Sequence, residues 1–389
     1  MKRNLRLFPL YLALIRMDFW LPVFFLYFLS LFPLEKVLLL EAVYYVSVVL
    51  LEIPSGYFSD RIGRRWTLVA AAGFGAVSGA LFFFTASFPL FCAGQFFYAA
   101  FMAFNSGSDS SLLYDTLRAE GRESEMLPRE SGAHAASLLA GALAAVVGGC
   151  AALWGYRWAY ALSAAAYAAA VVTALGFKEP PRIGPAAEKN IVKQIAACGR
   201  KLSDTTLAWI FAYYVGRTIF EHIPYEFFQP YVGFVVGASW LSAATGAHLA
   251  VTKLVSAYFA RGAARWDFPA STILLATHAV ITGLIALMAL WIHPIVVFLL
   301  LFRNIPHGLG QPVMNAVVHP LLPSGLRATY LSLQSLAGRL CFAAVLAALS
   351  RWSGAGATHA SLSFLLGACA VFSGAWLACL MFFVPQRVR

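Results

Sequence analysis

Arg217 and Glu221 stand four residues apart in a stretch that is otherwise almost wholly apolar. At helical spacing they share one face and can pair. A carboxylate shut away from water holds a proton more readily, and a neighbouring guanidinium opposes that effect. A group balanced between the two can take up and release a proton as its surroundings change. Glu221 is the leading candidate for such proton exchange, with Asp109 and Asp18 next. Arg303 and His307 repeat the four-residue spacing, which on a helix aims both into one space. Arg217 and Arg303 carry planar forks of donors that suit a carboxylate or phosphate. The alternative for Arg217–Glu221 is a purely structural ion pair. Isolated histidines such as His134, His248 and His278 read as packing residues, and no histidine or cysteine spacing fits a metal site.

An ionisable group inside a bilayer costs several kcal/mol, so it faces a wet cavity or a partner. The elements carrying these charges are long and apolar. The chain is 61% hydrophobic and 12% charged, against about a half and about a quarter in ordinary soluble domains. Twelve segments reach the roughly 20 residues that span a bilayer as a helix. They cover 7–32, 37–58, 66–87, 89–117, 131–154, 156–177, 204–231, 234–260, 268–290, 292–318, 326–350 and 357–384. Strand-like alternation is scarce, so an all-α integral membrane protein is expected rather than a β-barrel.

The net charge of +11 invites a nucleic-acid partner, but its distribution points elsewhere. With the N-terminus in the cytoplasm, most of the 28 Lys and Arg fall in cytoplasmic segments, and Lys36, Arg157 and Arg351 fall outside. That is the positive-inside pattern, with both termini cytoplasmic. The basic balance reports orientation, and no nucleic-acid partner is expected. The basic start and first apolar run resemble a signal peptide. Arg16 and Asp18 interrupt that run and no small-residue cleavage site follows, so it reads as a retained helix. The six cysteines show no pair within one outside loop and are expected as free thiols.

A charged interval from Lys178 to Lys201, containing Pro180 and Pro181, divides the chain into six helices and six. The expected organisation is a bundle over 1–178, a cytoplasmic linker over 179–203 that has room for a short surface helix, and a second bundle over 204–389. Shifting by 201 positions lays Arg16 on Arg217, Glu52 on Lys253 and Arg64 on Arg265, a faint echo between the halves.

Between the second and third segments the sequence reads Gly56-Tyr57-Phe58-Ser59-Asp60-Arg61-Ile62-Gly63-Arg64-Arg65. With twelve spans around it, this pattern resembles the G-x-x-x-D-R-x-G-R-R loop of the major facilitator superfamily. Three further runs are similar to a bacterial twelve-helix subgroup. They are Glu52-Ile53-Pro54-Ser55-Gly56, Ser106 to Asp115, and Arg327 to Arg339. The resemblance implies two six-helix bundles with the substrate site between them. It also implies that the loop braces the cytoplasmic side when the protein is open outward. Gly56, Asp60, Arg61, Gly63, Arg64, Arg65 and Asp115 are then the gate residues, and the helix starting near Arg327 supplies an N-terminus for the carboxylate. The competing reading of the loop is a basic turn without mechanical role.

In that family helices 1, 4, 7 and 10 line the cavity. The resemblance thus makes Arg16, Asn105, Arg217, His222, Glu226, Arg303, Asn304 and His307 substrate-binding candidates beside the three acids. Arg16 with Asp18 can alternatively snorkel to the inner interface, and Glu226 and Glu41 can lie near the outer surface. Glu52, Lys253 and Arg339 read as gate or packing groups. The expected function is secondary active transport of a small organic solute by alternating access, coupled to protons, without a cofactor, by a monomer in a bacterial inner membrane. Export is the leading direction on family prevalence alone. However, the Gly-Pro pattern that drug antiporters often carry in helix 5 is missing between Gly141 and Gly149. Uptake of an anionic metabolite or siderophore is the alternative, and a membrane enzyme acting on lipid is remote. No Gly-x-x-x-x-Gly-Lys loop is present for ATP.

Overall fold

The computed structural model describes residues 1–181, 190–235, 241–352 and 359–388, and their regular structure is helical. In chain order come α1 (Lys2–Ile15), α2 (Phe24–Leu31), α3 (Leu34–Ile62), α4 (Arg64–Phe84), α5 (Phe88–Asn105), α6 (Ser108–Arg118), α7 (Met126–Ala151) and α8 (Arg157–Leu175). There follow α9 (Ile191–Lys201), α10 (Thr205–Val235), α11 (Leu241–Gly262), α12 (Ala270–Leu290), α13 (Pro294–Leu299), α14 (Gln311–Leu321), α15 (Arg327–Trp352) and α16 (His359–Phe382). The chain forms two compact units. One is Met1–Gly199 with Leu322–Leu333, and the other is Arg200–Leu321 with Gln334–Arg389. The first unit therefore holds the opening turns of α15, a segment far away in sequence.

In the first unit α4 packs on α5 and α8, α3 on α5, and α1 on α7 and α8. A Cβ built on Gly79 of α4 would stand 2.9 Å from the Cβ of Ala164 on α8, so this seam depends on small residues. In the second unit α12 packs on α16 and α10, while α11 packs on irregular backbone between α13 and α14.

Polarity is inverted relative to a water-soluble protein. Phe84, Leu290 and Phe382 are over four-fifths exposed, whereas Glu52, Asp60 and Arg327 are at most 1% exposed. Such an exterior is stable against acyl chains. Among the described residues, seven helical stretches are long and apolar enough to cross a membrane: Leu39–Ile62, Arg64–Phe84, Phe88–Arg118, Glu123–Ala151, Arg157–Leu175, Ala270–Leu290 and Ser363–Phe382. The other expected spans are those with backbone breaks or embedded charges, such as α10 with Arg217 and Glu221.

Among the described residues, three segments expected as unbroken helices are interrupted. The span 7–32 stops after Ile15 and resumes at Phe24, where Pro22 supplies no donor and disfavours helix at Leu21. The span 89–117 breaks at Gly107, whose φ of 69° is left-handed. The span 292–318 passes through a 3-10 turn at Leu300–Phe302 and a π turn at Pro306–Gly310. Pro306 removes a helical donor there. The stretch expected as a loop after the second span is instead largely helical. Here α3 continues through Ile62, and Gly63 with φ 132° alone makes the turn into α4.

Gly107 tests the importance of these breaks. Its Cβ would stand 2.7 Å from the Cβ of Leu331. Gly107→Ala should therefore lose at least the roughly 1–2 kcal/mol of a left-handed non-glycine residue, read as a lower apparent Tm in detergent.

Candidate functional site

Four buried charges meet in the first unit. Asp60, on the last turn of α3, accepts from the backbone N–H groups of Ala328 (3.2 Å) and Thr329 (2.8 Å) and from the Thr329 hydroxyl (2.6 Å). These N–H groups belong to the first turn of α15 and have no partners within their own helix, so the carboxylate caps them where the helix dipole favours negative charge. Arg64 opens α4 and joins Asp60 at 2.5 Å, Asp115 at 3.4 Å and the Ser324 carbonyl at 2.6 Å. Arg327 pairs with Asp115 and lies 4.2 Å from the Tyr114 ring centroid. Two carboxylates and two guanidinium groups thus neutralise one another with side-chain exposures of 6% or less.

The remaining gate candidates divide. A Cβ on Gly56 would stand 2.6 Å from the Ser332 hydroxyl oxygen, so glycine permits the close approach of α3 to α15. Gly63 turns the chain against Glu179, whose carboxylate accepts from the N–H groups of Arg64 (2.8 Å) and Arg65 (2.9 Å). Arg61 is exposed and donates to the Tyr57 hydroxyl, and Arg65 donates to the Leu175 carbonyl.

A second polar group of the first unit gathers at the breaks in spans one and four. The Tyr11 hydroxyl donates to the Asn105 side-chain oxygen (3.0 Å) and to the Leu68 carbonyl (3.2 Å). Asn105 donates onward to Asp109 at 3.4 Å, and the Ser110 N–H donates to the same carboxylate. Asp18 accepts from the Tyr167 hydroxyl, which also accepts from the Trp20 indole. Arg16 acts electrostatically on Asp109 and Tyr167. Asn105 and Asp109 therefore share one hydrogen-bonded group and Asp18 belongs to another, with Arg16 acting electrostatically on members of both.

In the second unit, Arg217 lies 3.6 Å from Glu221, donates to the Pro306 carbonyl at 3.5 Å and stacks 5.0 Å from the Tyr214 ring centroid. That carbonyl belongs to the π turn of the broken span. His222 is tied through Nδ1 to the Thr218 carbonyl (2.6 Å) and rests on Phe342. Arg303 donates to the Thr252 hydroxyl (3.0 Å) and meets His248 Nδ1 at 2.9 Å, both on α11. Asn304 holds Ser256 of α11 through its carbonyl and side chain. The spacing argument for Arg303 and His307 assumes a regular α-helix, and the turn at 303–304 with the π turn that begins at Pro306 removes that basis. His307 is half-buried in the π turn. The side chain of Glu226 lies outside the described residues.

Sequence reasoning missed Tyr11, Tyr167, Ser324 and Glu179, all of which hold a candidate residue. Glu179 carried a signal, since it is the one acid beside the Pro180-Pro181 pair that ends the first half.

This arrangement agrees with comparisons to known proteins. The Major Facilitator Superfamily profile matches residues 11–348, and the chain belongs to that family. No curated protein matches it in sequence. Among solved structures it resembles the human organic anion transporter MFSD10 (TETRAN), with TM-score 0.73, 17% identity and 99% of each chain covered. It also resembles FucP, a transporter of the same superfamily, in its outward conformation, with TM-score 0.70, 14% identity and 98% of each chain covered. A variant of the E. coli fucose:proton symporter FucP aligns with TM-score 0.65 at 14% identity, over 97% of this chain and 98% of that one. The protein is thus an integral membrane transporter by fold and family and not an enzyme, which removes the lipid-acting alternative.

Removing one member of a buried charge set leaves another uncompensated, at roughly 3–5 kcal/mol. Asp115→Asn should lower the apparent Tm accordingly. The double variant Asp115→Asn with Arg327→Gln keeps the set neutral and should lose less than either single variant.

Proposed function

We propose that this protein is a proton-coupled secondary active transporter of a small organic solute. It works by alternating access through twelve spanning helices with both ends in the cytoplasm of a bacterium. The observation that carries this reading is the Arg217–Glu221 pair at 3.6 Å, set against the Pro306 carbonyl in a broken helix. A carboxylate there is held by one charge partner, and irregular backbone lies beside it. Movement of the broken segment alters what surrounds Arg217 and so changes the proton affinity of Glu221. Asp109 and Asp18, beside Arg16, form the corresponding acids of the first unit.

The Asp60–Arg64–Asp115–Arg327 set is the gate. The positive-inside pattern assigns it to the cytoplasmic face, where it closes the inner side while the outer side is open. Export is the working direction. Uptake of an anionic metabolite or siderophore is favoured by Arg16 and Arg217, whose guanidinium groups suit an acid group on the cargo. On Arg303 one guanidinium nitrogen, Nη1, is engaged by Thr252 and by the Leu300 carbonyl.

The test uses proteoliposomes and a solute found by a thermal-shift screen of anionic chelators, sugars, nucleosides and cationic drugs. Glu221→Gln should abolish flux driven by a pH gradient while substrate binding and substrate–substrate counterflow persist. Unchanged pH-driven flux removes Glu221 from the mechanism.

A further inference from the structure

The linker between the halves enters the gate itself. Its helix α9 is capped by Asn190, whose side-chain oxygen accepts from the N–H groups of Val192 (2.9 Å) and Lys193 (3.2 Å). Val192 and Lys193 are exposed, while Gln194 and Cys198, four residues apart on one face, are fully buried. The buried face is thus polar at Gln194. An amide without exposure must find partners, and the structure supplies three within the first unit. Its Nε2 donates to Asp60 Oδ2 at 3.3 Å, to the Gly325 carbonyl at 2.7 Å and to the Thr329 hydroxyl at 3.3 Å.

Those partners are the gate carboxylate and the two sides of the turn into α15. The same Oδ2 atom accepts from the backbone and hydroxyl of Thr329, so Gln194 completes the shell around it. One turn further on, the Cys198 thiol sits 3.9 Å from the Leu326 carbonyl. The linker also holds the other side of the motif, where Glu179 caps the start of α4. Both described ends of the linker therefore contact helix N-termini that the gate depends on.

We propose that α9 is a working part of the gate: Gln194 positions Asp60 against the first turn of α15, and the gate opens only as α9 withdraws. Gln194 acts through Asp60 and is a positioning residue. The inference rests on reading Asp60 as a gate residue. It adds that the linker governs how often the gate opens.

Cys198 supplies a native reporter. Burial, with a smaller contribution from the Asp60 charge, pushes its thiol up to about 12, so the closed protein should be alkylated very slowly. The experiment uses the full chain in proteoliposomes, with cysteines other than Cys198 replaced by alanine, and follows N-ethylmaleimide modification by mass spectrometry. A parallel background keeps only Cys369, which is buried in the core of the second unit. Gln194→Leu and Asp60→Asn should each raise the Cys198 rate at least about tenfold, the scale of one lost charge-assisted hydrogen bond, and leave Cys369 unchanged. Gln194→Asn, which keeps the amide but shortens its reach, should lie between and serves if Gln194→Leu does not fold. A rise in Asp60→Asn without one in the Gln194 variants overturns the proposal and leaves the gate reading standing. No rise in any variant overturns both. Parallel rises at Cys198 and Cys369 indicate general loosening and overturn the specific role of α9.

Discussion

A carboxylate with almost no exposure, held at the first turn of a helix, is the interaction on which this structure turns. Asp60 satisfies two backbone donors and a hydroxyl of α15 while pairing with Arg64. Hydrocarbon cannot solvate a charge, so each buried charge needs an opposite charge or a set of dipoles. The four-charge set meets that need by pairing two carboxylates with two guanidinium groups, and its neutrality lets it stay buried. That mutual pairing makes it a good two-state element. Partial opening would expose unmatched charges, so the set is stable either fully formed or fully parted, once water can reach it.

A second constraint acts on the backbone. Where a helix is interrupted inside an apolar body, the freed carbonyl and N–H groups must be satisfied by something else. The breaks in this chain attract the polar residues that could do chemistry. The Pro306 carbonyl takes Arg217, the Asn304 carbonyl takes Ser256, and Asn105 at the end of α5 takes Tyr11. Irregular backbone and functional side chains thus explain each other. The breaks provide places where the chain can move, and the side chains keep those places from being unsatisfied.

Much of this was legible in the sequence, for reasons that can be named. The apolar runs and the Gly56 to Arg65 pattern gave the helical membrane architecture and the family. The four-residue spacing of Arg217 and Glu221 gave their contact, because α10 is regular there. The same rule applied to Arg303 and His307 lost its footing, since the chain turns at 303–304 and enters a π turn at Pro306 in place of a regular α-helix. The breaks after Ile15 and Asn105 were also unreadable from hydropathy, which registers apolar length and not backbone continuity. Partners from distant segments were hidden for a different reason. Tyr167 on Asp18 and Gln194 on Asp60 are contacts over more than a hundred residues, and neither residue type signals such a role.

The central claim is that the charge set around Asp60 parts and re-forms as one unit. The most direct measurement is the distribution of distances between spin labels at Ile62 and Pro323 in the purified protein, by pulsed electron paramagnetic resonance. Two discrete populations are expected, a short one that dominates in the unaltered chain and a longer one enriched in Asp60→Asn. A single distance, identical in both proteins, would contradict the account.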